Sequence, residues 1–129
     1  MIEKEFIPYE LALDLKELGF DETCFSYYEG ESFSNHLCLM EHNGKDDYII
    51  SAPLYQQAFR WFREKHNLDL SINTVYTGYN ELTTKNYSAV VDDCGSFTNV
   101  GFYKTYEEAE LACLKKLIEI VKERRNWMF

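Results

Sequence analysis

Apolar positions along the chain change period several times, and each change marks an element. Leu11, Leu15 and Leu18 recur at helical spacing with Glu10, Asp14 and Glu17 on the other side, which predicts a helix over Tyr9–Leu18. Pro8 fits the first helical position, Gly19 the left-handed cap, and Phe20 the apolar contact that goes with such a cap. Cys24–Tyr28 is rich in aromatics between charged neighbours and reads as a strand. Residues 29–36 are turn formers and predict a loop, after which Leu37–Met40 reads as the return strand. Asn43-Gly44 signals a turn, and Tyr48–Ile50 a brief extended stretch.

A second helix is predicted from about Pro53 to His66, with Ser51 as N-cap. Leu54, Tyr55, Ala58, Phe59, Trp61 and Phe62 give it a wide apolar face, Arg60, Arg63 and Glu64 its polar one, and Asn67 its stop. Leu68–Tyr79 and Asn86–Val91 read as strands joined by a polar loop around Glu81–Lys85, because β-branched and aromatic residues alternate with polar ones. Asp92-Asp93-Cys94-Gly95 is a turn, and Phe97–Tyr103 a third strand of the same meander. Thr105-Tyr106-Glu107-Glu108 forms a capping box and opens the last helix. Acids cluster at its start and Lys122, Arg124 and Arg125 at its end, matching the helix dipole. The apolar tail Trp127-Met128-Phe129 either docks on the domain or meets a partner or second copy.

The order is helix, two strands, helix, three strands, helix. It predicts an α+β fold, a single domain over residues 1–129. A small antiparallel sheet of about four or five strands, drawn as a hairpin plus a three-stranded meander, packs against two or three helices. With 46% apolar and 16% aromatic residues the chain has the means to bury a core, and global disorder is excluded. No run approaches the roughly 18 apolar residues of a membrane-spanning helix, and the start lacks the pattern of a signal peptide. The expected setting is a cytoplasm, with no membrane partner and with Cys24, Cys38, Cys94 and Cys113 as free thiols.

The formal net charge is −9, and it is unevenly placed: residues 1–52 hold 12 acids and 3 bases, residues 53–129 hold 10 of each. An acidic half repels phosphate backbones, which disfavours general nucleic-acid binding. A more specific reading of that half is a surface that meets a basic partner or imitates nucleic acid.

Catalytic chemistry finds little footing. His36, Cys38 and His42 form the one cluster of borderline metal ligands, and three or four such groups at fixed distances are needed to hold zinc. Cys94 is the most exposed thiol expected, but Asp92 and Asp93 beside it work against a reactive thiolate. Phosphate-cradling glycine motifs and a nucleophile elbow are absent from the sequence, and the paired acids Asp46-Asp47 and Asp92-Asp93 are expected on turns, solvated and without an apolar pocket to suit them to acid–base work. No cofactor and no enzymatic activity are expected.

Two stretches, residues 51–66 and 105–121, together with Glu5–Tyr9 and Leu15–Phe20, resemble a family of small uncharacterised proteins from phages, prophages and mobile elements of Bacteroides-type bacteria. The resemblance covers about half the chain and implies a bacterial or phage cytoplasmic protein; it brings no activity or catalytic residue with it. The expected function is a non-enzymatic accessory protein that binds another protein, as a monomer or homodimer. Tyr27, Tyr28, Phe33, Trp127 and Phe129 are its candidate contacts, since a surplus of Tyr and Phe beside segregated charge suits a protein interface. The alternative is a small nucleic-acid-associated regulator using the basic helix surfaces at Arg60, Arg63, Lys115, Lys116, Arg124 and Arg125.

Overall fold

A computed structural model describes residues 2–34, 48–79 and 82–127, with the side chain of Trp127 excepted. The fold is α+β, with two three-stranded antiparallel sheets and three α-helices. The chain falls into two compact units, Met1–Trp61 and Phe62–Phe129.

The first unit opens on a 3-10 turn at Ile2–Glu5, followed by α1 (Tyr9–Glu17). Pro8 is the N-cap itself, one position earlier than its spacing implies. Gly19 closes the helix at φ +94°, a conformation that an L side chain rarely adopts. There the Phe20 N–H donates to Leu15 O at 3.0 Å and the Gly19 N–H to Lys16 O at 3.1 Å, the paired bonds of a Schellman end. Ala12 and Leu15 are fully buried along the inward stripe, so the leucine spacing is read correctly.

The strands of this unit are β1 (Ser26–Glu29), β2 (Ser32–Phe33) and β3 (Ile49–Ala52), in the order β2-β1-β3. The expected long loop over residues 29–36 gives way to a tight hairpin. Tyr28 pairs with Phe33 and Glu29 with Ser32, which leaves only Gly30 and Glu31 in the turn. The return strand expected at Leu37–Met40 lies outside the described residues, as does the Asn43-Gly44 turn. Ser51 belongs to β3, where it is buried, and does not cap the next helix. The helix α2 runs Tyr55–His66, and Leu54 O accepts its first bond, from the Ala58 N–H at 3.1 Å.

The second unit carries β4 (Leu68–Thr77), β5 (Thr84–Asp93) and β6 (Ser96–Tyr103) as a meander, then α3 (Tyr106–Trp127). Asn67 ends α2 at φ +54°. Cys94 and Gly95, at φ +52° and +92°, form a two-residue turn between the paired Asp93 and Ser96, and the Gly95 N–H donates to Asp92 Oδ1 at 2.7 Å. Positive φ at both central residues matches the right-handed twist of the flanking strands. The Thr105 hydroxyl accepts from the Glu108 N–H at 3.1 Å, as the capping box requires. One face of this sheet packs on α3: Ala89, Ala109 and Cys113 are fully buried, with Leu70, Ile72, Tyr87, Val100 and Tyr103 against them. A bulge between Ala89 and Val90 shifts the β5–β6 register and turns Val100 into that core.

Candidate protein-binding face

Side chains alternate across a strand, so the register that places Leu70, Ile72, Ala89 and Val91 against α3 sends their neighbours the other way. The opposite face is built from Asp69, Ser71, Asn73, Val75 and Thr77 on β4, from Thr84, Asn86, Ser88, Val90 and Asp92 on β5, and from Phe97, Asn99 and Phe102 on β6. Phe97 is 71% exposed and Phe102 61%. These are two large rings standing in solvent, on a strand whose other face is packed. Around them lie hydroxyls and amides, with Asp69 and Asp92 together at one end and, among the described residues of its strands, no lysine or arginine on the face. At the far end of the hairpin, Tyr76, Tyr79 and Leu82 are exposed as well. Lys85 there stands 5.5 Å from the centre of the Tyr87 ring. This face was not among the sequence-based candidates; the available signal was the alternation of Phe97, Asn99 and the polar residues of β4.

The aromatics expected to meet a partner are distributed differently. Tyr28 is a core residue: it is 4% exposed, its hydroxyl donates to Ile7 O at 2.8 Å, and its ring packs edge-on against Tyr9 at 5.5 Å. Burial and the nearby Glu3 carboxylate push its phenol up to about 12. Tyr28 as a surface contact is therefore withdrawn. Phe33 is half-buried, its ring 5.3 Å from Phe6 and 5.5 Å from Tyr28, so it covers the core rather than standing free of it. Tyr27 is half-buried on the other face of β1. The Trp127 side chain and Phe129 lie outside the described residues.

The basic candidates do not form one surface of free charge. Arg60 reaches Glu22 at 3.4 Å and Lys116 reaches Glu119 at 3.4 Å. The Arg124 guanidinium donates to His66 O at 2.8 Å and pairs with Asp93, tying the end of α3 to the strand ends. Arg63, Lys115 and Arg125 are exposed. Burial, with Arg124 and Arg125 adding to it, holds His66 below its ordinary pKa.

Clefts among the described residues include two of mixed polar and apolar lining. One of about 520 Å³ is lined by Asp93, Ser96, Thr98, Lys116, Glu123 and Arg124, where acids and bases balance. The other, of about 370 Å³, lies among Thr23, Phe25, Leu54, Gln56, Gln57 and Arg60, with the Gln57 amide donating to Thr23 O at 2.6 Å.

Of the thiols, Cys24 and Cys113 are free and buried, and Cys94 is free and exposed. Burial pushes Cys24 up to about 12 and Cys113 up to about 11, so neither offers a thiolate near neutral pH. The Cys94 thiol donates to Asn67 O at 3.7 Å. The cluster His36, Cys38 and His42 lies outside the described residues, as does the Asp46-Asp47 pair. Compared with protein-family models, curated proteins and solved structures, the chain gives no match.

Proposed function

We propose that this chain is a non-enzymatic accessory protein of a phage, prophage or mobile element of Bacteroides-type bacteria, and that it works in the cytoplasm by binding another protein. The observation that carries the reading is the open sheet face: Phe97 and Phe102, both largely exposed, amid Ser71, Asn73, Asn86, Ser88 and Asn99. Rigid aromatics supply contact area at low entropic cost, and small hydroxyl and amide groups adapt their hydrogen bonds to the partner, which is the composition of protein paratopes. The lack of lysine and arginine on that face supports a protein partner over a phosphate backbone.

The test compares the chain with a Phe97→Ser/Phe102→Ser variant as bait in a Bacteroides-type lysate, with and without nuclease. The expected result is one stoichiometric protein held by the wild type through nuclease treatment and lost by the variant, while the two chains melt within a few degrees of each other. Capture that survives the double substitution, or that disappears with nuclease, would overturn the reading.

A further inference from the structure

The two edges of the β4–β5–β6 sheet are unlike. On β6 the edge runs eight residues and carries the bulge that breaks the register beside Val90. Its counterpart β4 runs ten residues, pairs with β5 without interruption from Leu68–Asp93 to Thr77–Thr84, and among the described residues forms the end of its sheet. Long edges are usually guarded by lysine, proline, bulges or shortness, because a row of unpaired backbone groups is a template for another strand. Leu68–Thr77 contains no lysine, arginine, proline or glycine, and Asp69 is its one charge. Most of its residues from Ser71 onward are exposed.

We infer that β4 pairs antiparallel with β4 of a second copy of this chain, with Asn73 on the two-fold axis, to make a continuous six-stranded sheet. Directly opposite residues in an antiparallel pair share a face, so a strand that pairs with itself must place each residue opposite one of the same parity. Centring on Asn73 does this over residues 69–77. It sets Asp69 opposite Thr77, Leu70 opposite Tyr76, Ser71 opposite Val75 and Ile72 opposite Thr74. No like charges meet. Tyr76, 65% exposed, would cover the half-buried Leu70 of the other copy. The neighbouring register centred on Ile72 sets Tyr76 against Leu68, which is already fully buried, and Asp69 against Val75. Asparagine suits the axis because its amide is donor and acceptor at once, so two copies can satisfy each other.

Charge favours a second copy at this place too. Residues 62–129 hold 10 acids and 9 bases, a balance of −1, against 12 acids and 4 bases in residues 1–61. Two copies meeting at β4 therefore join their nearly neutral parts.

Sedimentation equilibrium on the full chain tests this, and it reads self-association without reference to any captured partner. The wild type is expected to dimerise reversibly. Asn73→Lys and Asn73→Asp each place like charges on the axis and should weaken the dimer about tenfold or more, while an equimolar mixture of the two should recover it as a heterodimer. Phe102→Ser, on the open face, should leave the dimer unchanged. A wild type that stays monomeric throughout the concentration range, or a dimer indifferent to Asn73→Lys, overturns the inference. A dimer lost in Phe102→Ser also overturns it, since copies would then meet face to face.

Discussion

Cys24 and Cys113 show how burial of a single side chain becomes a property of the fold. Desolvation holds the Cys24 proton up to about 12 and the Cys113 proton up to about 11, against an ordinary 9.0. Above pH 9 the unfolded chain releases these protons and the folded chain keeps them, so stability falls as pH rises from about 9 toward 12. Urea midpoints measured across that range should drop for the wild type, and Cys24→Ala should flatten the drop. The helical pattern around Cys113 marks it as a small buried apolar group, whereas nothing around Cys24 says that it faces inward. It fails at Tyr28, because a run such as Ser26-Tyr27-Tyr28 alternates faces without saying which face is inward. That choice is made by Ile7, whose carbonyl accepts the Tyr28 hydroxyl, and by Phe33, two residues beyond the turn that follows β1.

Among the elements, α3 was the most legible because its signals are local. Thr105 accepts the Glu108 N–H, and acids and bases occupy the ends that the dipole favours. Thr105→Ala should cost about 1 kcal/mol, read as a lower denaturant midpoint with an unchanged slope. Strand lengths were less legible. The expected Asn86–Val91 proves to be Thr84–Asp93, since pairing with β4 extends order into residues whose own propensity is weak. The β1–β2 hairpin was missed for a similar reason: a two-residue turn at Gly30-Glu31 needs only a short return strand, and two residues are too few for a period to show. The open face escaped notice because Ser88, Val90 and Asp92 interleave with Tyr87, Ala89 and Val91, so both faces of β5 read as partly apolar.

For the whole molecule, charge supports the protein-binding reading that we propose over the nucleic-acid one. Nearly all of the −9 lies in residues 1–61, and three of the six basic candidates are paired with acids. A basic surface half of whose candidate contacts are already paired with acids releases few counterions from a phosphate backbone. In a low-salt gel-shift series with duplex and single-stranded oligonucleotides, micromolar protein should give no shift. Size points the same way as chemistry. Three strands about 4.8 Å apart, two of ten residues and one of eight, present about 450 Å² on the open face, below the roughly 800 Å² per partner of a standard interface. Two such faces joined edge to edge would reach it.

The bulge beside Val90 has a further consequence for how far such joining can go. A sheet with two receptive rims would add copies without limit and become a fibre. Under the β4 pairing that we infer, the kinked rim at β6 would end the series, so assembly would stop at a closed pair and a concentrated solution is expected to stay clear instead of setting into filaments.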